Sequence, residues 1–233
     1  MKQALADTAY DQLLNMIYSL ELKGGDRLVE QQLIDQLGIG RTPLRQAIQR
    51  LASDGLIDLN PGSFSIVHTF TEKEKQDFGL VRLTIDTVAT PLVILNGSNK
   101  DFQDLMDTTI ACQKAFEQQD IGERIRLDYE FHTKFVALSD NMELYKIQEQ
   151  LTKRGRLMQL QTYSQKGSSS CDLSGHLDII RALNDRDTKA CLKAVQTHLS
   201  HAFDASGDAR SWQSVESALD TLSGQETLDD RSA

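Results

Sequence analysis

The 233-residue chain is 39% hydrophobic, 6% aromatic and 25% charged, with 25 basic against 34 acidic side chains and a formal net charge of −9. That balance excludes nucleic-acid binding through bulk charge. Residues 1–70 themselves hold 6 basic and 8 acidic side chains, so any affinity for DNA must come from a local cluster (Arg27, Arg41, Arg45, Arg50) repeated by dimerisation.

No apolar run approaches the roughly 20 residues that span a bilayer. The N-terminus, MKQALADTAYDQ, carries acidic residues and lacks the apolar stretch of a signal peptide. Cys112, Cys171 and Cys191 form no CxxC and read as reduced thiols of a cytoplasmic protein.

In chain order, Tyr10, Leu13, Leu14, Ile17 and Leu20 recur at helical spacing and predict a helix near 7–21. Lys23-Gly24-Gly25-Asp26 is a turn, and 28–37 a second helix, broken by Gly38-Ile39-Gly40. A third helix, 42–53, starts with Thr42 as cap and Pro43 at the first position, where its missing N–H costs nothing. Gly55 terminates it. Leu44, Ile48 and Leu51 form its buried stripe, while Arg41, Arg45 and Gln46 fall away from it. A short helix tipped with arginines suits a DNA major groove, where Arg pairs with a guanine edge or a phosphate. The same pattern also describes a helical hairpin with solvated arginines. Two β-like runs, 56–59 and 64–67, flank the turn-forming Asn60-Pro61-Gly62-Ser63. Three helices and a hairpin make a winged helix-turn-helix, with Gly62 and Ser63 at the wing tip.

Thr71-Glu72-Lys73-Glu74 is a capping box. It opens a helix with Phe78, Val81, Ile85, Val88, Ala89 and Leu92 on one face and Pro91 expected to kink it. Further helices are marked by Phe102, Leu105, Thr109, Cys112 and Phe116, by 121–138, and by Leu144, Ile147, Leu151 and Leu157. A loop over 164–175 precedes helices at 176–183 and 187–203. The expected fold is mainly α: a winged helix-turn-helix in 1–70, an all-α bundle of six or seven helices in 71–204, and a tail, 205–233, that holds one possible helix at 211–222 and otherwise reads as disordered.

Asp128 and His132 stand at i,i+4 on a face shared with Phe131 and Phe135, so they point inward. His176 shares a face with Ile179, Ile180 and Leu183, and His198 with Cys191, Ala194 and Val195. The two lie equidistant from the polar turn 184–187, so an antiparallel hairpin brings them level. One carboxylate and three imidazoles can then converge, a set that Zn, Mn or Ni accepts. Each histidine could instead be a hydrogen-bonded core residue; three on apolar faces beside an i,i+4 Asp favour the metal site. His201 could replace or flank His198. Such a site also admits a metal-dependent hydrolase fused to a DNA-binding module. Against that, no general base stands beside the ligands: Glu130 projects about 160° away from the face bisecting Asp128 and His132.

The run GGDRLVEQQLIDQLGIGRTPLRQAIQRLASDGLIDLNPGSFSIV resembles the DNA-binding domain of the GntR superfamily of bacterial transcription regulators, over residues 5–68. The resemblance implies base and phosphate contacts from Arg41, Thr42, Arg45 and Gly62. Gly40 stands where the family usually has Ser or Thr, Gln31 where some members place an arginine, and Pro61 where some place a polar wing residue. Residues 71–204 resemble the FCD ligand-binding domain of the FadR subfamily, through Val81-Arg82, Leu127-Asp128-Tyr129-Glu130-Phe131-His132, Ser139-Asp140-Asn141, Gly175-His176 and Val195…His198-Leu199. That resemblance implies a divalent transition metal, zinc first, on Asp128, His132, His176 and His198, with Arg82 facing an effector pocket and Gly175 where an acidic residue is usual. It further implies a homodimer, not an enzyme, that binds a palindromic double-stranded operator and responds to a small carboxylate.

Overall fold

The computed structural model describes residues 2–60, 64–166 and 173–202. Gly62, Cys171 and the whole of 205–233, with its expected helix at 211–222, lie outside the described residues, as does the side chain of His201. The N-terminal part contains α1 (Lys2–Tyr18), β1 (Arg27–Leu28), α2 (Glu30–Leu37), α3 (Arg41–Ser53), β2 (Ile57–Leu59) and β3 (Ser65–Val67). The helical half contains α4 (Glu72–Asn96), α5 (Asn99–Glu117), α6 (Ile121–Ala137), α7 (Met142–Lys166), α8 (Leu173–Asn184) and α9 (Thr188–Ala202).

The expected two-stranded hairpin is the larger part of a three-stranded antiparallel sheet of order β1-β3-β2, in which Arg27 pairs with Ile66 and Asp58 also pairs with Ile66 from the other side. A two-residue strand carries no periodicity of its own, so Leu28 reads in sequence as the start of the helix that follows it. The α3 boundaries also differ from expectation. Gly40, not Thr42, is the N-cap, and it offers no side-chain hydrogen bond. Pro43 is the third helical residue, still within the first turn, where a backbone N–H has no intrahelical partner. At the other end Gly55 takes a left-handed φ of 72°, while the Leu56 N–H reaches the Leu51 carbonyl and the Gly55 N–H the Ala52 carbonyl. This is a Schellman closure, which any residue with a Cβ would strain.

The Thr71 capping box forms, with Thr71 Oγ1 accepting from the Glu74 N–H and the Glu74 carboxylate accepting from the Thr71 N–H. Backbone and side-chain hydrogen bonds from Thr71 hold the Glu74 carboxyl below its ordinary value of 4.5. A carboxylate with a depressed folded pKa stabilises the fold above its unfolded pKa and loses that contribution as pH falls through the folded value. Glu74→Gln is therefore expected to shallow the acid limb of the stability–pH curve below about pH 4.5, as read by circular dichroism.

α4 runs through Pro91 to Asn96, and its buried face is not the expected one. Phe78, Ile85 and Ala89 are buried as expected, but Val81 and Val88 are exposed, and Arg82, Leu83, Asp86, Thr90 and Val93 turn inward. Periodicity assigns charged residues to water; here Arg82 and Asp86 are buried because each meets a polar partner on α6, Arg82 the Asp128 carboxylate and Asp86 the His132 ring. Helix extends into both ends of the loop expected at 164–175: α7 runs to Lys166, and α8 begins at Leu173 and includes Gly175.

Two cores result. One joins α4, α5, α6, α8 and α9 through Leu83, Phe102, Phe131, Phe135, Ile180 and Leu199. The other holds Leu13, Leu44, Leu51 and Val67 of the N-terminal part together with Phe78, Tyr129, Leu157 and Met158 of the helical half. Polar contacts follow the same junction: the Tyr18 hydroxyl donates to the Lys153 carbonyl, Lys153 Nζ to Asp54, and Gln161 Nε2 to the His68 carbonyl.

Candidate metal centre and nucleic-acid interface

α6 supplies Asp128 and His132, one turn apart, α8 supplies His176 and α9 supplies His198. All four are at most 2% exposed, and one donor atom from each lies within 4.8 Å of the others. His132 Nε2 is 3.1 Å from His198 Nε2 and 3.3 Å from His176 Nε2, which is 3.3 Å from Asp128 Oδ1. Metal–nitrogen bonds of about 2.0–2.1 Å generate donor–donor edges of roughly 2.9–3.4 Å, between octahedral and tetrahedral arrangements. The three donor pairs at 3.1 and 3.3 Å match those edges, and the whole set, within 4.8 Å, can close on one divalent ion. The apolar walls hold the rings: His176 stacks on Phe131 with centroids 4.0 Å apart, and His176 and His198 centroids are 4.5 Å apart.

The ionisation states suit the same purpose. Burial acts to raise the Asp128 carboxyl, but the His176 hydrogen bond and the Arg82 guanidinium outweigh it and hold the carboxyl well below its usual range. Burial, then Arg82, pushes His132 well below its usual value, so its ring is neutral. A carboxylate and a neutral imidazole are the ligating forms.

Gly175 packs against the His198 ring; a Cβ there would collide with the imidazole. The space that an acidic residue would need at this position is filled by His198. Arg82, expected to face an effector, is 1% exposed, lies 3.5 Å from Asp128 and stacks over Tyr129 at 4.3 Å. Glu130 is on the outer side of α6, held by Arg126 at 2.6 Å and Lys134 at 2.7 Å. An open groove of about 490 Å³ between α5 and α6 lies beside Glu130, and its Arg126 and Lys134 are paired with Glu130.

Asp86 was not singled out by sequence. It is fully buried one turn from Arg82, and its Oδ2 lies 2.5 Å from His132 Nδ1. Burial pushes its carboxyl up to about 7. A signal for it exists: Arg82 and Asp86 are the only charged residues in 78–96, and they share one helix face.

At the N-terminus of α3, Arg41, Thr42, Arg45 and Gln46 are exposed, around the buried Leu44, Ala47 and Ile48. Of the four arginines expected as a local cluster, Arg41 and Arg45 share one partner and the other two have partners of their own. Arg45 Nε is 2.9 Å from Glu30 and Arg41 Nε 3.9 Å from it, whereas Arg50 pairs with Asp7 and Arg27 stacks on Phe64. Glu30, also missed in sequence, screens both helix-tip arginines. Glu30→Gln is expected to strengthen binding to non-operator DNA at low salt, measured by fluorescence anisotropy, because it removes a negative charge that pairs with Arg41 and Arg45.

Comparison with known proteins agrees with this architecture. Residues 5–67 match the family described as bacterial regulatory proteins, gntR family, and residues 78–201 match the FCD domain. The Nta operon transcriptional regulator of Aminobacter aminovorans is 28% identical over 189 residues, covering 81% of this chain and 88% of that protein. The HTH-type transcriptional regulator McbR of Escherichia coli is 25% identical over 175 residues, covering 73% and 78%. The solved structure of E. coli McbR/YncC superposes with a TM-score of 0.72 at 22% identity, covering 84% of this chain and 93% of that one. A GntR regulator structure from Rhodococcus sp. RHA1 gives 0.75 at 18% identity, covering 88% and 99%. The chain belongs to the GntR family of DNA-binding bacterial transcription regulators and carries an FCD domain as its helical half.

Proposed function

We propose that this regulator, of the FadR subfamily, is a cytoplasmic homodimer whose affinity for a palindromic operator is set by a small organic acid bound at a metal centre, and that it is not an enzyme. Residues 1–70 read DNA, 71–204 sense, and 205–233 form a tail. The observation that carries the sensing half is the convergence of four buried donors at metal-like spacing. Asp128, His132, His176 and His198 would hold the ion, zinc first and Mn or Ni next. When bound it would supply a positive charge able to anchor a carboxylate. Arg82, behind Asp128, supplies the second positive charge.

The reading half rests on Arg41, Thr42 and Arg45, with Gly62 at the wing tip outside the described residues. Because the Gly40 cap has no side chain, the first N–H groups of α3 remain available to a phosphate.

Homodimerisation is supported by α4. Its outward residues Val81, Thr84, Val88, Pro91 and Leu95 include no charge, and Val81, Val88 and Leu95 repeat every seven residues. Contrary to the expectation that no apolar run is long enough to span a bilayer, α4 is long and apolar enough by composition, because Arg82 and Asp86 are its only charges after Asp77; half of its most apolar window is buried within one copy. The seven-residue repeat fits helix self-pairing. Val88→Glu buries an unpaired charge on each side of such an interface, so self-association should weaken by at least about 100-fold. Light scattering after size-exclusion chromatography checks this, and a dimer that survives rejects the face.

The sensing claim is tested by operator titration with candidate acids, with and without zinc. If no acid alters operator affinity in a metal-dependent way, that half of the reading fails.

A further inference from the structure

Resting on the metal reading above, we propose that Asp86 is a positioning residue of the centre: it grips His132 by Nδ1, so that only Nε2 faces the other three donors. Asp86 Oδ2 lies 2.5 Å from His132 Nδ1, and both side chains are at most 1% exposed. On the opposite edge of the same ring, Nε2 lies 3.1 Å from His198 Nε2 and 3.3 Å from His176 Nε2. An imidazole can ligate through either nitrogen, and a hydrogen bond to one selects the other. Here the partner carboxylate comes from a different helix.

α4 thus reaches both ligands of α6. Arg82 lies 3.5 Å from Asp128 Oδ2, and one turn later Asp86 meets His132 one turn after Asp128. The two i,i+4 pairs run alongside each other, so a shift of α4 along α6 disturbs both donors together. Asp86 does not touch the ion; its effect passes through the orientation of the ring. That role also accounts for a buried carboxylate in an otherwise uncharged stretch of helix. Without it, the cost of burying the group would have no return.

The test compares the full-length protein with Asp86→Leu and Asp86→Asn. Zinc affinity is read by competition with a chromophoric chelator and site geometry by the visible absorption of the cobalt form. Asp86→Leu is expected to weaken zinc by about 10- to 100-fold and to alter the cobalt bands. Asp86→Asn keeps an acceptor oxygen and is expected to recover part of the loss. Should Asp86→Leu not fold, wild-type protein loaded with ¹¹³Cd and labelled with ¹⁵N decides the matter: coupling to His132 Nε2 supports the assignment, and coupling to Nδ1 overturns it. A folded Asp86→Leu with unchanged affinity and unchanged cobalt bands overturns it as well. Wild-type protein that binds neither zinc nor cobalt overturns the metal reading and this assignment with it, whereas the first two failures leave the metal reading standing.

Discussion

Removing metal with a chelator is expected to lower the melting temperature of this protein by on the order of 10 °C, and His176→Gln is expected to abolish that response. An ion that binds only the folded state stabilises it by an amount that grows with its concentration over Kd, about 4 kcal/mol at a thousandfold excess. For a chain of this size each kcal/mol is worth about 2–4 °C. The donors come from α6, α8 and α9, so an ion there adds a tie across three helices that already meet through packing and through the contacts of these side chains. The quantity to compare is the difference between metal-loaded and chelator-treated protein, measured by scanning calorimetry. The absolute melting point of the variant also carries the loss of the His176–Phe131 stack, whose centroids are 4.0 Å apart. Equal melting of loaded and stripped wild-type protein would remove the centre from the account.

Arg45→Ala is expected to weaken operator binding by on the order of 10²- to 10³-fold while leaving the melting temperature nearly unchanged. A bidentate arginine contributes about 1–3 kcal/mol of base discrimination, and a dimer loses two of them. The fold does not depend on this side chain: it is exposed, and its bond to Glu30, 2.9 Å long, joins two groups in contact with water. Its salt dependence identifies the contact. If Arg45 meets phosphate, the slope of log K against log salt falls by about one for each copy; if it meets a base, the slope holds and specificity relaxes. Unaltered operator affinity would move DNA reading away from the tip of α3.

The winged helix-turn-helix was legible because its helices are amphipathic and its breaks are glycines. Gly38 and Gly55 both adopt left-handed φ, as those turns require. The four donors were legible for a related reason: imidazoles at helical spacing on apolar faces have few other places to go. What escaped notice has a common cause. β1 is two residues long and owes its existence to β3, so no local pattern announces it. Asp86 went unread, and Arg82 was expected to face an effector and not a ligand of the centre, because periodicity registers polarity and not partnership, and their partners lie some 46 residues further along, on another helix. Glu30 reads as an ordinary first-turn acid, and its pairing with Arg45 depends on how α2 crosses α3. Val81 and Val88, placed in the core by the same logic, face outward because the interior of α4 is occupied by that buried ion pair and its neighbours.

The junction between the two halves has a consequence for engineering. Tyr129, Leu157 and Met158 share one apolar cluster with Leu13 and Leu51, and α7 reaches across with Lys153 and Gln161. A chimaera that grafts residues 1–70 onto a foreign sensor would leave Asp54 without its lysine, the Tyr18 hydroxyl without its acceptor and part of an oily seam wet. Transplanting this DNA reader therefore means carrying the matching surface of α7 along with it, and the intact chain should unfold in one calorimetric peak where loosely tethered modules would give two.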